Sequence, residues 1–206
     1  MAWKIWLARN RCIFEDKKPD FNYIAHSILE QLQIYPVHSQ LKSKRRDIGL
    51  AHVFDFPAGF FDGASANQMG GIGVYLMINH DHFICLKMGV GHNTNTRSEL
   101  LALWTLLFIA KSCGLPSLHI HGDSSVIINW FNRRSSLSSL ALDGWCHNIW
   151  DLESCFIQLD VVHIYKEYNE MANGLSKEAL SMASGLLQFS KFTEGECTEL
   201  GSFKLF

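Results

Sequence analysis

The chain has 206 residues, 48% of them apolar and 18% charged, with a formal net charge of −2. That balance suits one main domain with a sizeable core plus extensions; it excludes broad disorder and counts against strong nucleic-acid binding, which depends on Lys and Arg. No apolar run is long and clean enough to span a bilayer and no secretory leader is evident, so an intracellular protein with no membrane partner is expected. The six cysteines form no C-x-x-C pair and read as reduced, mostly buried thiols.

Residues 1–35 begin with Trp3, Trp6, Leu7, Ile13 and Phe14 interleaved with Lys4, Arg9 and Arg11. The pattern is that of an amphipathic helical extension, with a second helix from Phe21 to Leu32, and its abrupt start suggests the remnant of a longer polyprotein. Residues 36–52 read as a linker. Its one charge run, Lys42 to Arg46, reads as a solvated segment, the alternative being a localisation or phosphate-contact signal. The compact domain is expected over 53–184, and 185–206 as a C-terminal tail.

Within that domain Gly59–Ser65 reads as a strand stopped by a turn at Gly63. Gly71–Asn79 and His82–Val90 are two further strands of an antiparallel meander. Thr96–Cys113 is apolar almost all round, which predicts a helix buried on most sides. Gly114 supplies a left-handed stop and Pro116 prevents resumption. Ser117–Gly122 is a short strand, Asp123–Asn132 and Leu140–Cys155 are helical, Phe156–Tyr165 is the last strand and Asn169–Ala183 the last helix. Strands alternating with helices after a meander add parallel strands through right-handed crossovers. The expected architecture is α/β, a five-stranded mixed sheet flanked by helices on both faces.

Three acids stand at comparable places: Asp62 at the end of the first strand, Glu99 in the first turn of the central helix, and Asp123 at the end of the fourth strand. Each has an ordinary account. Asp62 precedes a turn glycine, Thr96-Arg97-Ser98-Glu99 spells a capping box, and Asp123 could cap the helix beginning at Ser124-Ser125. If the first and fourth strands are neighbours, however, the three carboxylates converge, and they repel unless a divalent cation lies between them.

The stretches FFDGAS (60–65), NTNTRSELLALWTLL (93–107), HIHGDSS (119–125) and HIYKEYNEMANGLSKEAL (163–180) resemble, in this order and spacing, the type 1 ribonuclease H domain. More closely they resemble the plant reverse-transcriptase-like group derived from non-LTR retrotransposons, whose preceding segment is similar to KIWLARNRCIFE (4–15). The resemblance spans roughly Gly59 to Leu180. It implies a ribonuclease H-like fold and an enzyme that cuts the RNA strand of an RNA–DNA hybrid with two divalent metals, normally Mg2+. Carried over by motif, the acids in the family's order Asp, Glu, Asp, Asp are Asp62, Glu99 and Asp123, with Asn173 where N-x-x-A-D-x-L calls for the fourth. Asparagine keeps an oxygen donor but no charge. The resemblance therefore implies weaker binding of the metal on the nucleophile side, with Mn2+ a substitute that accepts such a ligand set.

By the same resemblance His163 takes the place of a loop histidine that assists product release or proton transfer; an ordinary strand-end histidine is the other account. Hybrid recognition depends on the 2′-hydroxyl. Thr94 and Asn95 match the family's strand-contacting turn, Thr96 departs from it, and Gly63 and Ser65 are placed to offer groups to the RNA strand. Trp130 is expected in the core, with a place beside the DNA strand the alternative. From Gly59 to Leu180 seven Lys and Arg face eleven Asp and Glu, so hybrid affinity should be modest and steeply salt-dependent. Proofreading-type exonucleases carry D-x-E on the first strand, which Asp62-Gly63-Ala64 lacks. A catalytically inactive nucleic-acid-binding module, on hybrid or RNA, and a retroelement remnant remain as alternatives.

Overall fold

The computed structural model describes residues 55–137 and 140–204. The helical extension expected over 1–35 and the linker over 36–52 lie outside them. The described elements are β1 (Ala58–Ala66), β2 (Met69–Met77), β3 (His82–His92), α1 (Asn95–Ser112), β4 (Ser117–Gly122), α2 (Ser125–Phe131), α3 (Leu140–Glu153), β5 (Gln158–His163), a 3-10 turn (Lys166–Tyr168), α4 (Glu170–Ala179), β6 (Leu186–Thr193) and β7 (Glu196–Lys204).

The first strand is longer than its sequence suggests. β1 runs straight through Gly63 and turns at Asn67 and Gln68, whose φ values of 50° and 65° are those of a tight hairpin turn matching the strand twist. Gly63 is a glycine for another reason. A Cβ there would collide with the backbone of Ser98 and Glu99, so the glycine marks a close approach of α1 to the sheet.

One sheet holds all seven strands in the order β5-β4-β1-β2-β3-β6-β7. β4 and β5 run parallel to β1, while β2, β3, β6 and β7 alternate in direction. The expected adjacency of the first and fourth strands is present, with Phe61 opposite Gly122. The expectation of five strands is corrected to seven. Residues 186–204, beyond the boundary placed at 184, form a hairpin that pairs with β3 through Leu187 and Phe192 among others.

Side chains alternate along β1 and thereby divide the domain into two layers. Phe61 points into the large core, where α1 supplies Leu100, Leu103, Leu106 and Leu107, all fully buried, and where Trp130 packs at 4% exposure. Leu187 of β6 joins the same core. Phe60 and Ala58 point to the other face, into a smaller cluster with Met77 and Ala172 beneath α4. Gly71 and Gly73 of β2 let the α4 backbone lie on the sheet at this face, because a Cβ at either would strike Ser176 or Ala172 backbone. α1 ends as expected, with Gly114 at φ 71°. Of the described cysteines, Cys85 and Cys146 are buried and Cys113 and Cys155 exposed, so the expected burial holds for only some of them.

Candidate metal centre

Asp62, Glu99 and Asp123 each place a carboxylate oxygen within 4.8 Å of the others. Asp62 reaches the cluster from mid-β1, where it pairs with Gly73 rather than preceding a turn. Asp123 follows the last residue of β4, and the cap of α2 is Ser124, without a side-chain bond. The ordinary accounts of these two acids therefore fail. Glu99 also departs from its capping role. The cap of α1 is Thr94, whose hydroxyl accepts the Arg97 N–H at 3.4 Å, and Glu99 lies beyond the first turn. Its carboxylate instead accepts the Gly63 N–H at 3.1 Å.

Burial and like charge dominate the electrostatics. Glu99 is 5% exposed, and loss of solvent, followed by the charges of Asp62 and Asp123, pushes its pKa up to about 9. Burial also raises Asp62; the Ser176 hydroxyl opposes that rise and the neighbouring Asp123 reinforces it. Lys166 opposes the shift at both groups, as the smallest of the contributions. Three hard oxygen donors held together against their own repulsion suit a hard divalent cation such as Mg2+ or Mn2+.

The fourth wall of the cluster is α4, and it is neutral. Asn169, 1% exposed, donates its amide to Phe61 O at 2.9 Å and to Asp123 Oδ1 at 3.1 Å. Its Oδ1 is buried without a hydrogen-bond partner. Ser176, fully buried, donates its hydroxyl to Asp62 Oδ2. Asn173 lies between them in sequence, four residues after Asn169 and three before Ser176, and is partly buried. Glu170 is exposed at the start of α4 and lies outside the carboxylate group.

His163, exposed at the end of β5, has Nε2 at 3.2 Å from the Asp123 carbonyl oxygen. A carbonyl only accepts, so Nε2 carries a proton. Two of the candidate RNA contacts are already engaged: the Gly63 N–H by Glu99, and the Ser65 hydroxyl by Asn93 O at 2.9 Å. Thr94 and Asn95 are exposed at the start of α1.

Sequence reading assigned no role to Ser176. The signal was the run of Gly71 and Gly73 opposite Ala172, Ser176 and Ala179, small residues three and four apart on one helix face. Such a face admits a helix at backbone contact, and a hydroxyl on it is aimed at the strand.

A model of the reverse transcriptase-like family matches residues 60–179, more than half of the chain. The chain belongs to that family. This reverse transcriptase-like chain has the ribonuclease H fold, as its solved neighbours show. The RNase H1 of Halobacterium salinarum is 24% identical with a TM-score of 0.58, the match covering 61% of this chain and 98% of that one. The N-terminal RNase H domain of a Mycobacterium tuberculosis protein, solved as a fusion with maltose-binding protein, is 19% identical with a TM-score of 0.54, over 60% and 93%. LC11-RNase H1, solved in complex with an RNA/DNA hybrid, is 22% identical with a TM-score of 0.53, over 60% and 95%. No curated protein matches the chain significantly in sequence. Among the described residues no helix is long and apolar enough to cross a membrane.

Proposed function

We propose that the chain is a cation-dependent endoribonuclease acting on the RNA strand of an RNA–DNA hybrid, with its hydrolysis weakened at Asn173. The observation that carries this reading is the convergence of Asp62, Glu99 and Asp123 within 4.8 Å on a ribonuclease H fold. The hybrid held by the LC11 neighbour supports the choice of nucleic acid as partner. Asp62, Glu99 and Asp123 are the residues to hold Mg2+ or Mn2+, with Asn173 as a fourth, uncharged donor. Bound there, such ions make a water nucleophilic and stabilise the leaving 3′ oxygen of the phosphodiester.

The chain's own groups prepare that site. The Gly63 N–H holds Glu99, the Asn169 amide holds Asp123, and the Ser176 hydroxyl holds Asp62. His163, its ring exposed beside Asp123, is the residue we assign to product release or proton transfer. Thr94 and Asn95 offer exposed polar side chains to the nucleic-acid strand. At Asn173 an amide dipole replaces a full charge, a difference of about 1–3 kcal/mol, or roughly ten- to hundredfold in occupancy or rate.

The test is incubation of the purified chain with a labelled RNA–DNA hybrid, in Mg2+ and separately in Mn2+, beside RNA-only and DNA-only duplexes. Slow cleavage confined to the RNA strand of the hybrid, faster in Mn2+, is the expected result. The neutral α4 wall favours a second reading, binding without cleavage. Hybrid retention with no product in either cation, in wild type and in Asn173→Asp alike, selects that reading.

A further inference from the structure

We infer that Ser176 is a positioning residue for Asp62, fixing the orientation in which that carboxylate is presented to a cation; the inference rests on the cation site proposed above. Three observations carry it. The Ser176 hydroxyl donates to Asp62 Oδ2, a contact between side chains that are 0% and 6% exposed. Water is therefore largely excluded as a substitute donor, and a carboxylate crowded by Glu99 and Asp123 has few other groups to hold its plane in place. The α4 wall touches the acids through hydrogen-bond donors: Ser176 on Asp62 and Asn169 on Asp123.

The second observation is that the Ser176 backbone is itself a contact point between helix and sheet. A Cβ at Gly71 would strike Ser176 O, and one at Gly73 would lie 2.5 Å from Ser176 N. Gly73 is in turn the residue paired with Asp62 across the β1–β2 ladder. Asp62, Gly73 and Ser176 thus form a short rigid path from strand to strand to helix, and the backbone that carries the hydroxyl cannot move away from the carboxylate without lifting α4.

The third concerns the hydroxyl's rotamer. Ser176 Oγ also lies 3.0 Å from Asn173 O, one turn back along its own helix. The one hydroxyl proton has two acceptors within reach. Asp62, when ionised, is the stronger of them, and the helix carbonyl is the weaker competitor for the same proton. A buried donor that orients a metal-ligating carboxylate typically changes metal affinity by about 10- to 100-fold when removed.

The experiment is calorimetric titration of Mn2+ into the full chain, which reads binding without any turnover. Wild type, Asp62→Asn, Ser176→Ala and Ser176→Cys are compared, the cysteine keeping the buried shape while replacing a strong donor with a weak one. Both Ser176 variants are expected to bind Mn2+ about tenfold more weakly than wild type, while Asp62→Asn shows no saturable binding. Wild-type affinity in Ser176→Ala overturns the inference. So does a loss in Ser176→Ala that Ser176→Cys restores, since packing and not the hydrogen bond is then at work. If wild type binds no Mn2+, or Asp62→Asn binds it equally well, the cation site itself is absent and both readings fall. Loss in Asp62→Asn with no change in the Ser176 variants removes this inference alone.

Discussion

The two sides of the carboxylate cluster are built on different chemistry. The side made by β1, β4 and the start of α1 supplies three acids and almost no compensation beyond one backbone N–H from Gly63. The α4 side supplies Asn169 and Ser176, which donate hydrogen bonds to Asp123 and Asp62 and carry no charge. One side therefore relieves its repulsion by holding a proton or a cation, and the other holds the acids still without adding to their repulsion. Burial sharpens the contrast, because a charged group out of water depends on its partner far more than a neutral one does.

Breaking the charged side should have the largest effect. Asp62→Asn is expected to remove hybrid cleavage to background and to abolish any rise in melting temperature on adding Mg2+, which otherwise follows mass action. Melting curves with and without Mg2+ check this apart from catalysis. Converting the neutral side comes next. Asn173→Asp should raise Mg2+-dependent cleavage by roughly ten- to hundredfold with little change in hybrid affinity, in line with the greater worth of a charged contact. Initial rates and a filter-binding titration on the same hybrid separate the two quantities. A wild type already as fast as the variant shows that the neutral side is no handicap.

The third way to sharpen the contrast is pH. Glu99 has its folded pKa pushed up to about 9, from 4.5. Between those values the folded chain holds a proton that the unfolded chain has released. Stability from this group is therefore full below about pH 4.5 and lost as pH rises through about 9, and the raised Asp62 acts in the same direction. In chelator, melting temperature should fall from pH 5 to pH 9, and Glu99→Gln should flatten the slope. Gly73→Ala tests the neutral side by packing. Its Cβ meets α4 backbone, which cannot give way as a flexible side chain would, so a loss of about 1–3 kcal/mol in denaturant unfolding is expected. The smallest effect belongs to Thr94→Ala. It removes an exposed cap at the start of α1, for about 0.5–1 kcal/mol, and should leave Mn2+ affinity unchanged because Glu99 is held by Gly63 and not by the cap.

How much of this was legible in the sequence depended on whether a residue had one reason for its identity or two. The burial of α1 and its stop at Gly114 followed from composition and one backbone preference, and both are present. Gly63 was read as a turn because glycine most often marks one, whereas its reason is the approach of Ser98 and Glu99 from another element. Such a contact leaves no local trace. The capping box at Thr96 to Glu99 fitted the local pattern, yet Glu99 is engaged by Gly63, a partner 36 residues away. Ser176 was passed over for the same reason, its partner Asp62 being 114 residues distant. The β6–β7 hairpin was missed although Leu187 and Phe189 alternate with Gln188 and Ser190. Its turn uses Glu194 and Gly195, with φ 54° and 79°, and Glu-Gly is a weaker hairpin signal than Asn-Gly.

That hairpin has a consequence for how molecules of this chain meet one another. With it in place, the outward backbone groups of β3 are engaged by β6, and among the described residues β7 becomes the border of the sheet opposite β5. Unpaired strand borders invite addition of a strand from another molecule, and charged side chains discourage it. β7 carries Glu196, Glu199 and Lys204, whereas the hidden border of β3 offers Phe83, Ile84 and Leu86 to the pairing. The hairpin thus exchanges a greasy, adhesive margin for a charged one. It also moves that margin two strands further from the carboxylates, roughly 10 Å, so that association at the β7 border would lie away from the acids.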